Sequence, residues 1–199
     1  MSQELEIEFK NLLEENEYHR LLSAFSIDDE KRVTQENFYF DTAQFSLKNL
    51  GAALRIREKN GTYTLTLKQP TRRGLLETHQ VITEEEAKQM LAGGPIIDGE
   101  VSTILNTLSI NPMDVTFFGS LKTKRAEFEY KNGLLVLDKS YYLNKCDFEV
   151  EYEVTDEVIG KDIFEELLQQ HHIPVRKTDN KIRRFYDQKK HLLLGEEHS

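Results

Sequence analysis

Apolar and polar residues alternate one by one through much of this chain. That period-two pattern predicts β-strands with one face turned to a core. Strands are expected at residues 3–10, 36–41, 52–59, 62–69, 75–83, 115–130, 133–138 and 147–154. Asn60-Gly61 and Asn132-Gly133 are hairpin markers, so the pairing is expected to be antiparallel. The period shifts to that of a helix at residues 11–25, where Leu12, Leu13, Leu21, Leu22 and Phe25 are apolar. A second helix is expected at 83–92, where Thr83 and Glu86 have capping-box spacing. A third fits 156–171, with Ile159, Ile163, Phe164, Leu167 and Leu168 on one stripe, and a basic fourth fits 179–191 after an Asp179 N-cap. No linker, repeat or low-complexity run interrupts these elements, so residues 1–199 are expected to form one domain. The fold class is α+β, an antiparallel sheet with helices outside it.

The polar positions of the strands carry an unusual load of charge. Glu4, Glu6, Glu8 and Lys10 share one face of the first strand, opposite Leu5, Ile7 and Phe9. Asp147, Glu149, Glu151 and Glu153 repeat the arrangement opposite Phe148, Val150, Tyr152 and Val154. Arg55 and Arg57 share a face, Lys68 lines up with Thr64 and Thr66, and Arg125 precedes Glu127 and Glu129. Two geometries produce this pattern. One is a half-buried sheet with a solvated outer face. The other is a closed barrel with charge inside and apolar residues under helices. Segregation of acids and bases between strands suits the second, since like charges along one strand repel, and the pattern alone leaves both open.

Composition narrows the partners. The 199 residues include 35 acidic and 26 basic side chains, a formal net charge of -9. That balance argues against a nucleic-acid backbone as partner, and leaves room for a small anion in a local basic pocket. Cys146 is the single cysteine, so neither an internal disulfide nor a cysteine metal cluster can form, and a reducing cytoplasmic setting is expected. No run is apolar for the length a bilayer requires, and the first residues lack the features of a signal peptide, so no membrane partner is expected.

The motifs, taken in order, resemble the CYTH (triphosphate tunnel) family. Glu6, Glu8 and Lys10 match its Glu-x-Glu-x-Lys signature. Asn37 to Thr42 and Leu50 to Arg57 resemble its second block, followed by Thr66-Leu67-Lys68 and Thr123-Lys124-Arg125. Leu135 to Asp138 and Phe148 to Glu153 resemble its late acidic strands, and Asn180 to Arg184 its C-terminal basic motif. Asn180 and Ile182 stand where Ser and Tyr are usual, and His79 where a second acid often follows the one matching Glu77.

The resemblance implies a closed eight-stranded antiparallel barrel forming a tunnel, and a divalent-metal-dependent triphosphatase of inorganic or small organic triphosphate. Mg2+ or Mn2+ would be held by Glu6, Glu8, Asp138, Glu149 and Glu151, because these ions prefer carboxylate oxygen. Arg55, Arg57, Lys68, Arg125, Lys181 and Arg184 would hold phosphate oxygens, and Lys10, Glu8 and Glu151 would act in catalysis. Glu4, Glu77 and Glu153 extend the same rows, as ligands or as supports. The alternatives are a class IV-type adenylate cyclase converting ATP to cyclic AMP, and a non-catalytic polyphosphate- or nucleotide-binding module. Monomer and homodimer are equally compatible. His171-His172, Cys146 and the turn-borne Arg72-Arg73 are expected to be ordinary surface or helix-end residues, and Phe38, Tyr39 and Phe40 core or rim.

Overall fold

Alternation predicts strands, and strands form at all eight expected places. The computed structural model describes the backbone of residues 2–196 and the side chains of residues 3–192. The strands are β1 (Ser2–Leu13), β2 (Val33–Thr42), β3 (Ala53–Lys59), β4 (Thr62–Pro70), β5 (Leu75–Ile82), β6 (Val115–Tyr130), β7 (Gly133–Tyr142) and β8 (Lys145–Val154). They close into a barrel in the order β1-β5-β4-β3-β2-β6-β7-β8. The helices are α1 (Glu15–Ala24), α2 (Ser46–Asn49), α3 (Glu84–Leu91), α4 (Glu100–Thr107), α5 (Glu157–Gln170) and α6 (Lys181–Glu196), with a 3-10 turn at Pro112–Asp114. None of the described helices is long and apolar enough to cross a membrane, which says nothing of a β-barrel in one.

The hairpins have local causes. Asn60 and Gly61 both take positive φ, the geometry of a two-residue turn that matches strand twist, and they join Lys59 to its partner Thr62. The β6–β7 turn sits one residue earlier than its marker: Tyr130 pairs with Gly133, so Lys131 and Asn132 make the loop. Helix starts follow their caps. Thr83 and Glu86 form the expected reciprocal box, with Thr83 N–H donating to Glu86 Oε2 at 2.7 Å and Glu86 N–H to Thr83 Oγ1 at 3.2 Å. At α6 the cap is Asn180 rather than Asp179, since Asn180 Oδ1 accepts from Arg183 N–H at 2.9 Å. Asn and Ser are equivalent N-caps, so the Asn180 departure leaves the helix start intact.

One boundary differs from expectation. Residues 11–13 continue β1, and α1 begins at Glu15. Asn11, Leu12 and Leu13 pair with Val150, Glu149 and Phe148 of β8. The segment at 174–178 holds them as well. Leu12 N–H donates to Thr178 Oγ1 at 2.8 Å, and Asn11 Oδ1 accepts from Arg176 N–H at 2.6 Å. Extended pairing therefore overrides the helical spacing of the leucines.

The described residues fall into two compact units. One takes the stretch up to Glu6 with Gln35–Leu121, the other Ile7–Thr34 with the stretch from Lys122. In the first, Leu54, Ile56, Leu65 and Leu67 pack with Leu47 of α2, Ala87 and Met90 of α3, and Val101 and Leu105 of α4. In the second, Leu135, Leu137, Phe148, Val150 and Tyr152 pack with Tyr18, Leu21 and Leu22 of α1 and Phe164, Leu167 and Leu168 of α5. Burying each such side chain contributes about 1.5–3 kcal/mol. The opposite face of the same strands is buried too: Asp138 is 0% exposed, Glu149 1% and Glu151 5%. A half-buried sheet with a solvated charged face is thereby excluded, and the closed-barrel geometry is the one adopted.

Candidate active site

In the second unit, register sets charge against charge. Arg125 of β6 pairs with Asp138 of β7, Asp138 with Glu149 of β8, and Lys10 of β1 with Glu151. Arg125 makes a forked contact with Asp138, Nε to Oδ1 at 2.8 Å and Nη2 to Oδ2 at 2.6 Å, and reaches Glu151 Oε2 at 2.8 Å. From α6, the Lys181 ammonium lies 2.9 Å from Asp138, 2.8 Å from Glu149 and 2.5 Å from Glu151. Arg184, nearly one turn further on, donates to Glu149 Oε2 at 2.7 Å. Lys10 pairs with Glu8.

Burial opposes every one of these charges, yet the partners win. Lys181, Arg184, Arg125 and Lys10 are all held above their ordinary pKa by the surrounding carboxylates. Burial pushes both carboxyls up, but Lys181, Arg125 and Lys10 bring Glu151 well below the usual carboxylate range, and Arg125 and Lys181 bring Asp138 below its ordinary value. At neutral pH Asp138, Glu151, Lys10, Arg125, Lys181 and Arg184 are therefore charged.

The first unit carries a second charged face. Arg55 and Arg57 of β3 pair with Thr66 and Thr64 of β4, and with Tyr39 and Asn37 of β2. Arg57 Nε donates to Asn37 Oδ1 at 3.1 Å. Lys68 Nζ donates to Glu6 Oε2 at 2.8 Å and pairs with Glu77. His79 sits between Glu77, at 3.3 Å, and Thr66 Oγ1, at 3.0 Å. Arg55 Nε is buried without a hydrogen-bond partner, a donor suited to an anion.

Glu77 makes a measurable prediction. Burial raises its pKa, but Lys68 and Arg55 outweigh that and set it at about 2, against an ordinary 4.5. A depressed folded-state pKa contributes stability that is complete above about pH 4.5 and is lost as pH falls through about 2. The contribution is on the order of 3 kcal/mol. Glu77→Gln is therefore expected to flatten the fall of unfolding free energy between pH 4.5 and 2, measured by urea unfolding. An unchanged slope would assign the acid sensitivity to other carboxylates.

The predicted residues thus gather by unit: Glu6, Arg55, Arg57 and Lys68 in one, and Glu8, Lys10, Arg125, Asp138, Glu149, Glu151, Lys181 and Arg184 in the other. Among the described residues, no three or more His, Cys, Asp or Glu side chains are spaced to hold a metal ion. Around Lys181 the carboxylate oxygens stand at ammonium distances. The donor set itself, all carboxylate oxygen, fits Mg2+ or Mn2+. Sequence reading did not single out Asn37, which shares the face of Arg57, or Thr123 and Ser140, whose buried hydroxyls bond at 3.1 Å; Tyr39, expected as core or rim, is buried and pairs with Arg55. Alternation in β2 and β6 was their available signal. Arg72, Arg73 and Cys146 are exposed, and His171-His172 close α5.

The CYTH domain family model matches residues 4–186. YjbK of Bacillus subtilis, provisionally named a triphosphatase, is 50% identical over 190 residues, covering 96% of this chain and 98% of its own. A Bacillus halodurans protein provisionally described as an adenylate cyclase superposes with a TM-score of 0.90 at 42% identity, over 94% of this chain and all of its own. The Hippeastrum protein HpAC1, described as a provisional adenylyl cyclase with a dominant triphosphatase activity, reaches 0.78 at 23% identity, over 92% and 96%. At that identity the last likeness is one of fold.

Proposed function

We infer that this chain, which belongs to the CYTH domain family, hydrolyses inorganic triphosphate or a small organic triphosphate with the help of Mg2+ or Mn2+. The observation that carries the reading is the ionised inner face. Arg125, Asp138, Glu149 and Glu151 are at least nine-tenths buried, where structural packing alone would favour apolar residues. Charge held at that cost suits a ligand that is itself densely charged. The name of the Bacillus subtilis relative points the same way.

The residues divide by chemistry. Arg55, Arg57, Lys68 and Arg125 offer the guanidinium forks and ammonium that grip phosphate oxygens. Lys181 and Arg184 add two more cations from α6. Lys10, whose pKa is raised, stays protonated and stabilises negative charge rather than taking up a proton. Glu151 and Asp138, held ionised, keep acceptor oxygens ready for a cation or a water proton. Glu8, Asp138, Glu149 and Glu151 would hold a divalent ion, with Glu6 offering the same chemistry beside Lys68. Such an ion neutralises phosphate charge and activates water. Phosphoryl transfer needs mainly position and charge, so no nucleophilic side chain is required.

Inorganic triphosphate with Mg2+ or Mn2+ is expected to release orthophosphate at least as efficiently as ATP does, and ATP to give ADP or AMP with little cyclic AMP. Chromatography of the products decides it. Dominant cyclic AMP would establish the cyclase, the reading that the Bacillus halodurans likeness favours. No product from any triphosphate would leave a binding module.

A further inference from the structure

We propose that the Lys181 ammonium is a built-in stand-in for the divalent cation, so that binding of the metal expels Lys181 and loosens the start of α6. The inference rests on the metal-dependent reading above and concerns what the carboxylates do before the metal arrives. Asp138, Glu149 and Glu151 come from the adjacent strands β7 and β8 and are buried. Lys181 is the first residue of a separate element, and its Nζ meets all three at 2.5–2.9 Å. A lysine ammonium is a compact point charge; here it donates a hydrogen bond to Glu151 and forms ion pairs with Asp138 and Glu149.

Asp138, Glu149, Glu151 and Asp147 face Lys181, Arg125 and Arg184, and Lys10 is matched by Glu8, so the set carries one excess negative charge. A dication added while the ammonium stays would turn that into an excess positive charge. It also needs oxygens at about 2.0–2.1 Å in the case of Mg2+, which are the oxygens Lys181 already occupies. Ammonium and metal therefore exclude each other. The displaced lysine is tethered close by. Arg176 is bound to Glu17 at 2.7 Å, and Thr178 accepts from Leu12 N–H, so the chain stays fixed up to residue 178. Phe185 and Tyr186 are buried further along α6, so only the stretch at the helix start, 179–181, loosens, which leaves Lys181 free to meet a phosphate oxygen instead. Two consequences follow: metal alone binds weakly, and metal and triphosphate bind with positive coupling, each strengthening the other by the same factor.

The test uses Mn2+ alone, with no triphosphate, and counts free Mn2+ by its paramagnetic resonance signal. Lys181→Met is expected to bind Mn2+ at least tenfold more tightly than the natural chain, and Glu151→Gln added to it should remove the gain. Hydrogen exchange on the natural chain needs no variant: Mn2+ should speed exchange of amides in the first turn of α6, residues 181–184, and leave 174–178 unchanged. Equal or weaker binding by a folded Lys181→Met, no binding by either protein, or slower exchange in α6 with Mn2+ would each overturn the proposal. Orthophosphate release from inorganic triphosphate, followed in parallel, keeps the two readings apart. Hydrolysis without the affinity gain removes the stand-in alone, whereas loss of hydrolysis with every cation removes the enzymatic reading.

Discussion

Arg125→Met is expected to lower the unfolding free energy by about 3 kcal/mol, the low end of the cost of breaking a buried ion pair, because Lys181 remains beside Asp138 and Glu151. Asp138, fully buried, would lose its forked guanidinium, and Glu151 would lose one of its cations. For a chain of this length that is a fall of roughly 10 °C in Tm, read by calorimetry. Adding Asp138→Leu should recover part of the loss, because removing both partners strands no charge. A single-variant loss under about 1 kcal/mol would mean that water replaces the guanidinium and the network is wetter than its burial indicates.

Arg55→Ala should behave differently. Its Nε is buried without a partner, and Glu77 keeps Lys68 when Arg55 is gone. Stability should therefore fall far less than in Arg125→Met, because only the Arg55 share of the Glu77 stabilisation is lost. Activity on triphosphate should fall about 10²- to 10³-fold in kcat/KM, the usual cost of removing one preorganised donor from a charged transition state. Arg72→Ala, on the exposed turn, should change kcat/KM less than twofold. Steady-state kinetics on the two variants, with unfolding curves beside them, separates a group kept for ligand from one kept for folding. Equal losses in both variants would move the anion site out of the barrel.

Alternation showed which side chains share a face, and the structure bears this out for β1, β3, β4, β6 and β8. It could not show which of two geometries used that face. That depended on the far side of the strands being covered by helices, α5 and α1 among them, whose docking is tertiary. The ion-pair partners were equally hidden. Arg125 and Asp138 are joined by hairpin register, a nearly local fact, but Lys181 meets Glu151 across thirty positions of sequence. Two short helices escaped notice for different reasons. α2 has four residues and stands on the Asp41 carboxylate, which accepts the N–H groups of Leu47 and Lys48 at 2.9 and 3.1 Å. α4 has an apolar spacing, Val101, Leu105 and Leu108, that was open to reading, but its start at Gly99 lacks a side-chain cap. At residues 11–13, leucines at helical spacing were claimed by a strand because Thr178 and β8 lie next to them only in the folded chain.

β1 also governs how the molecule is made. Its residues Ser2 to Glu6 pair with β5, while Ile7 to Leu13 pair with β8 as far on as Val154. During synthesis the first strand leaves the ribosome well over a hundred residues before its second partner. At about 5–20 residues per second the wait is on the order of 10 s, far longer than a hairpin such as β3–β4 needs to form. Through that interval half of β1 is an open edge. That half, Ile7 to Leu13, carries Glu8 and Lys10, and charged side chains along an edge discourage pairing with another nascent chain. Charges that line the finished barrel thus also keep the unfinished chain from seeding aggregates, and neutralising Glu8 and Lys10 together should lower soluble yield even where the finished fold tolerates the change.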